Sequence, residues 1–420
     1  MANRFMVDLT PIRENRQFRL LFFGSSISTL GAQLTVVAIP YQAYRLTHSS
    51  LQVGLISLTQ LIPLLAGSLI GGAVGDVIDR RRLLIWASLC SAFAAGALAW
   101  NALSGSYSLL ILYLVSALAA GLTGFANPAR SAAIPMLVKP KDLVAAFSFN
   151  QVSFQIAIIL GPTIAGILIG TAGLAWTYTL DGSSFVFFIV MLLFLDPLPP
   201  TPGATKAGLG SIAEGFRYLR GRQVIQGVYL LDLNAMIFGM PRALFPAMAL
   251  EIFHGGTGTL GLLYSAVGVG GLLGALTTGW VANITHRGRA VVIAVMAWGV
   301  AIALFGFSTS LWIALVLLAL AGWADVISAV LRNTILQTSI PDSFRSRLSS
   351  FQMAVVTGGP RLGDLEAGGV AAVSSTEFSV VSGGLACLIG AAVLAKILPQ
   401  FWRTATDPGP QITKETTDEG

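Results

Sequence analysis

Twelve stretches of this 420-residue chain are each long enough to cross a bilayer and carry almost no charge. A membrane-spanning helix needs about 20 apolar residues to cross a hydrocarbon core of about 30 Å. On that rule the spans lie near 18–44, 51–74, 83–103, 108–133, 143–170 and 176–195, then near 224–250, 257–282, 290–307, 311–336, 350–373 and 380–398. Hydrophobic residues make up 55% of the chain and charged residues only 10%, against about 25% charged in soluble domains. Spanning segments satisfy their own backbone hydrogen bonds as helices, so the expected class is an all-α membrane protein embedded in a lipid bilayer.

Lysine and arginine set the orientation. Of 25 such residues, twenty fall on the termini and one set of alternate loops, and one, Arg45, falls on the other set. The remaining four, Arg130, Arg242, Arg332 and Arg361, lie inside spans. The positive-inside rule places the basic set in the cytoplasm. The expectation is a multi-pass protein of the plasma (inner) membrane with both termini cytoplasmic. The run 20–44 is too long for the apolar region of a signal peptide and lacks a small-residue cleavage site, so it reads as the first permanent span.

Several function classes drop out. The loops opposite the basic set, such as 104–107, 171–174 and 308–310, are too short for an extracellular receptor domain. The net charge of +6 is spread over loops on one side and does not point to nucleic acid. Cys90 and Cys387 fall within apolar runs as packing residues, and His48, His254 and His286 fall in loops with no ligand cluster. No metal site, cofactor or catalytic constellation is expected, so the chain does not read as an enzyme. No G-x-x-x-x-G-K-[ST] loop exists to hold ATP for a primary pump.

The segment 71–83 reads GGAVGDVIDRRRL, and a weaker copy recurs 207 residues later. Gly72 matches Gly279, Asp76 matches Asn283, Arg80 matches Arg287 and Arg82 matches Arg289; upstream, Gly54 matches Gly261 and Gly67 matches Gly274. The chain is therefore a duplication of a six-helix unit. The expected organisation is a first half at 1–195, a cytoplasmic linker at 196–223 with an amphipathic helix near 212–220, a second half at 224–403 and a disordered tail at 404–420. Parallel repeats of this kind bind substrate near the midplane and expose it alternately to each side.

These motifs resemble those of the major facilitator superfamily, which implies twelve transmembrane helices in two six-helix halves. Gly72, Asp76, Arg80, Arg81 and Arg82 match its loop after the second span, with Val77 where a basic residue is usual. The resemblance implies that Asp76 meets the start of span eleven and latches one conformation; the arginines are also topology anchors. Gly161, Pro162 and Gly166 resemble the fifth-span bend of the family's exporters, with alanines at two glycine positions. Asp325, Arg332 and Gln337, Asp232 with 239–242, and 359–364 resemble the enterobactin-exporter-like and macrolide-efflux branch.

Nine charges inside spans are the candidate machinery: Asp181, Asp232, Asp325, Asp364, Glu366, Arg130, Arg242, Arg332 and Arg361. Each costs about 2.5–3.5 kcal/mol on insertion scales, so each needs a reason. Arg361 and Asp364, three apart, form an intrahelical pair on spacing. Asp181 and Asp232 read as interfacial caps or functional acids. Asp232 and Asp325 are the candidate proton-coupling groups, with Arg332, Arg361 and Asp364 in the same charge network. Gln33, Asn150, Gln151, Asn234 and Phe154 are the candidate substrate cavity, against the alternative that each polar group only bonds helix to helix. The leading expectation is a secondary active, proton-driven exporter of a drug-like or siderophore-like small molecule, acting as a monomer and using the proton gradient rather than a cofactor. An uptake permease and a non-transporting membrane sensor or scaffold are the alternatives.

Overall fold

The computed structural model describes residues 10–104, 107–200, 219, 221–340 and 342–405, without the side chains of 282 and 342–351. The predicted linker helix falls almost wholly outside the described residues, as does most of the predicted tail.

Twelve long helices run through the described residues. They are α1 (Arg16–Thr47), α2 (Ser50–Gly75), α3 (Arg80–Leu103), α4 (Leu109–Leu137), α5 (Pro140–Thr171) and α6 (Leu174–Leu193). After the linker come α7 (Gln223–Ile252), α8 (Gly256–Val281), α9 (Arg287–Gly306), α10 (Leu311–Ser339), α11 (Asp342–Val373) and α12 (Thr376–Ile397). Eleven are apolar enough by composition to cross a membrane. The exception is α11, which is 32 residues long but carries Arg361, Asp364 and Glu366 in its middle. It also starts eight residues before the predicted position 350, because its first turns are polar helix rather than apolar span.

Side chains on the outer wall are large, apolar and exposed: Trp100 is 72% exposed, Trp312 74% and Ile62 78%. Such surface demands an apolar solvent, which a bilayer supplies.

Local chemistry explains where helices start and break. Asn15 caps α1 by accepting from the Phe18 amide, and Asp79 caps α3 by accepting from the Arg81 and Arg82 amides. These side chains satisfy donors that a helix leaves unpaired at its first turn. Helix α7 is regular over Gln223–Phe238, breaks at Gly239-Met240-Pro241, and resumes with a tight turn at Arg242–Leu244. Proline has no amide hydrogen and cannot continue the ladder.

The two sets of six helices pack with the same partners. In the first set α2 lies on α4, α3 on α6, and α1 on α5 and α6; in the second, α8 lies on α10, α9 on α12, and α7 on α11 and α12. The sets meet chiefly along α5 with α8 and along the first turns of α2 with α11. Gly54 and Gly261, matched in the repeat, sit at these two crossings. A Cβ on Gly54 would run into the Asp364 carbonyl, and one on Gly261 would meet the Pro162 carbonyl at 2.5 Å. Small residues are what let such backbones approach.

Candidate functional site

Three adjoining spaces of about 320, 210 and 230 Å³ run through the interior. The first and second share Val36, Ile39, Gln60 and Arg361 as walls, and the first and third share Thr29, Arg130 and Phe154. The third lies among Ser25, Ile134 and Phe147, toward the end that carries the basic loops. The second lies among Pro40, Ser57 and Arg242, toward the opposite end, the uncharged end for short, whose loops carry a single Lys or Arg, Arg45.

The uncharged end is closed by contacts between the halves. Asp364 of α11 accepts from the Ser57 hydroxyl of α2 and from the Ala243 amide, at 3.1 Å, in the break of α7. Tyr44 at the end of α1 donates to Glu251 near the end of α7. Thr163 of α5 and Ser265 of α8 lie 2.8 Å apart; nearer the middle of the same two helices, Gln155 donates to the Gly268 carbonyl at 3.0 Å. At the other end, Gly72 faces open space, and the Asp76 side chain makes no hydrogen bond or ion pair among the described residues.

Gly161, Pro162 and Gly166 build the closed end. Gly161 packs under Gln33 of α1, while Gly166 faces the Thr257 carbonyl and Gly261 of α8. The pattern thus serves two contacts of α5: Gly161 meets α1 of its own half, and Pro162 and Gly166 meet α8 of the other half.

The loop motif ties its own half together. Arg81 donates to the Leu192 and Leu193 carbonyls, each at 2.8 Å, at the end of α6. A guanidinium suits the negative end of a helix dipole. Arg80 is buried, its amide donates to the Leu198 carbonyl, and its side chain reaches Met136; Arg82 is exposed. The carboxylate that organises this loop is Asp79, which also accepts from the Leu198 amide at 3.1 Å. Its signal was its place just before a helix start. The contact expected between Asp76 and the start of α11 falls on side chains outside the described residues.

The second-half charges neutralise one another. Arg332 lies 2.8 Å from Asp232 of α7 and 3.8 Å from Asp325 of α10, and it donates to Ser328 at 2.9 Å. Arg332 and Asp232 are each 5% exposed and line none of the three spaces. The intrahelical pair expected from Arg361 and Asp364 does not form: Arg361 donates instead to the Thr357 carbonyl at 2.7 Å. Asp364 is held by Ser57 and by the Ala243 amide, partners that three-residue spacing could not reveal.

Four of the five proposed cavity residues line the interior: Gln33 the first space, Asn150 and Gln151 the third, and Phe154 both. Asn234 does not. It is buried between α7 and α12, where its amide donates to the Cys387 carbonyl at 2.8 Å, so it joins helix to helix.

The cavity holds Arg361, a member of the expected charge network, and two groups outside that network, Arg130 and Asp181. Arg130 donates to Asn127 at 2.6 Å and Thr29 at 3.3 Å, and no carboxylate lies within ion-pair distance among the described residues. Arg361 enters the same space from the other half, its Nε buried without a partner. Asp181 of α6 lines the wall with Phe185 and Phe188.

The profile of the transmembrane secretion effector family, within the major facilitator superfamily, matches residues 6–416. The chain belongs to that family. It is 29% identical over 409 residues to the enterobactin exporters EntS of Escherichia coli O1:K1 / APEC and, at the same identity, of Shigella boydii serotype 18, covering 97% of this chain and 98% of each relative. Its fold is that of the nucleoside transporter NupG, with TM-score 0.74 and 15% identity over 92% of this chain and 99% of that one. A bacterial homologue of the iron transporter ferroportin, solved in an inward-facing state, gives TM-score 0.70 and 19% identity over 93% and 99%. The chain is a multi-pass membrane transporter of the secondary type, in a family of transporters rather than enzymes.

Proposed function

We propose that this transporter exports a siderophore-like small molecule across the inner membrane by alternating access, driven by the proton gradient. The observation that carries this reading is a cavity lined mainly by the first half, with Arg361 of the second half on its wall, sealed at the uncharged end and leading toward the basic end. With the basic loops and both termini in the cytoplasm, as the positive-inside rule requires, this conformation loads cargo from the cytoplasm. The halves, 1–195 and 224–403, then rock about the α5–α8 and α2–α11 crossings, and the loop at Gly72, Asp76 and Arg80–Arg82 closes the cytoplasmic side. The protein acts as a monomer, because one chain supplies the whole cavity.

Cargo class follows from the lining. Two guanidinium groups, one from each half, face a space walled by Phe154, Phe185 and Phe188. Arginines of this kind hold oxyanions through paired, charge-assisted hydrogen bonds, and the rings take up an apolar or aromatic framework. Related chains are named enterobactin exporters, and a siderophore of that kind fits such a lining.

The test is transport in proteoliposomes with iron-free enterobactin and a panel of amphipathic drugs as probes. Outward-directed, gradient-dependent movement of enterobactin supports the proposal. Movement only into the cytoplasmic side would favour an uptake permease, and movement of no compound would favour a sensor.

A further inference from the structure

Resting on the proton-coupled reading above, we propose that Asp181 in the first half is the site at which the cavity takes up and releases a proton. Asp181 lies in the second turn of α6, about 10 Å into the span at 1.5 Å per residue. It is 4% exposed and lines the largest of the three spaces described above. One carboxyl oxygen accepts from the Thr35 hydroxyl of α1 at 2.5 Å. The other, Oδ1, is buried with no hydrogen-bond partner among the described residues. Among the described residues no cation stands within ion-pair distance of it.

The neighbouring helices supply no counter-charge. Helix α5 has titratable side chains only in its first turn, Lys141 and Asp142 at the basic end, and α3 has only its initial arginines and the exposed Cys90. Helix α1 presents Thr35 and Gln33 here, with Arg16 and Arg19 at the basic end and its tyrosines and Arg45 near the opposite end. On α6 itself, Tyr178 is occupied by donating to Gln42 at 2.7 Å. Across the cavity stand Arg130 of α4 and Arg361 of α11. Gly31 of α1 lets α6 pack closely here: a Cβ on it would collide with the Ser184 side chain and fall 3.1 Å from the free Asp181 oxygen.

A buried carboxylate needs a compensating positive ligand, and a proton is the one this site admits. In the present conformation the proton on Asp181 passes to water in the space leading to the basic end. The carboxylate left behind keeps the Thr35 hydrogen bond. With the halves rocked the other way, the same oxygen faces the opposite compartment and takes up a proton there.

The experiment is an infrared pH titration of the purified full-length protein in lipid, following the C=O band of protonated carboxyls. The wild type is expected to show a titrating component that Asp181→Asn removes and Asp232→Asn leaves in place. Thr35→Val is expected to keep that component but move its pH midpoint. A titrating band unchanged in Asp181→Asn overturns the proposal. If Asp181→Asn fails to fold, an unmoved midpoint in Thr35→Val overturns it equally. A component lost in Asp181→Asn, with no proton flux during wild-type transport, would uphold the site and defeat the coupling reading.

Discussion

Asp181 in the first half and Asp232 in the second are 4% and 5% exposed, yet only the second has a cation, Arg332 at 2.8 Å. Their arginines differ in the same way. Arg130 and Arg332 hold matching places in α4 and α10, but Arg130 has two neutral acceptors and Arg332 has two carboxylates. Duplication kept the helix partners and the crossing glycines in both halves while their polar interiors diverged. The second half uses acid and base to neutralise each other inside protein. The first half leaves them apart on a cavity wall, free for a ligand and a proton.

The largest effect that would sharpen this contrast comes from breaking the second-half pair. Arg332→Met leaves Asp232 buried without its partner and should cost about 3–5 kcal/mol, read as a lower midpoint of thermal unfolding in detergent. Asp232→Leu combined with Arg332→Met should recover most of that loss. Asp181→Asn should cost less than about 1 kcal/mol, since no pair is broken. Equal losses at the two acids would erase the distinction.

Overpacking a crossing between the halves comes next. A side chain on Gly166 meets the Thr257 carbonyl at 2.5 Å. Gly166→Val should therefore destabilise the closed uncharged end by about 1–3 kcal/mol. Spin-label distances across that end should show the closed population reduced about tenfold for each 1.4 kcal/mol. A similar step follows at the cavity arginine. Arg130→Gln should weaken binding of iron-free enterobactin by about 10–100-fold, the worth of a hydrogen bond to a charged group, with an unchanged unfolding midpoint. The same loss from Arg332→Met with Asp232→Leu would remove the functional difference between the halves. The smallest effect separates the two acids of the basic loop. Asp79→Ala should cost about 1 kcal/mol as a lost helix cap, and Asp76→Ala should stay within about 0.5 kcal/mol.

The helices were legible because each apolar run is long, and α11 was found on the same rule although Arg361, Asp364 and Glu366 interrupt its run. The repeat also picked out Gly54 and Gly261 as a matched pair, though not the carbonyls they face. The candidate site was legible in residue type and not in direction. Gln33 and Asn234 look alike in sequence, since each is one amide in an apolar run, but one faces the cavity and the other bonds to Cys387. Which side of a helix meets empty space depends on the helices packed around it. Local spacing misled at Arg361 and Asp364, because Ser57 and Ala243 approach from distant segments. Asp79 could have been found, since an acid immediately before a helical run is a capping signal.

The most direct test of the central claim is proton flux measured together with enterobactin movement in proteoliposomes, for the wild type, Asp181→Asn, and the paired Asp232→Leu/Arg332→Met variant. The account predicts cargo-linked proton movement in the wild type and the paired variant, and its loss in Asp181→Asn with cargo exchange retained. Proton coupling that survives in Asp181→Asn, or that disappears only in the paired variant, would contradict it.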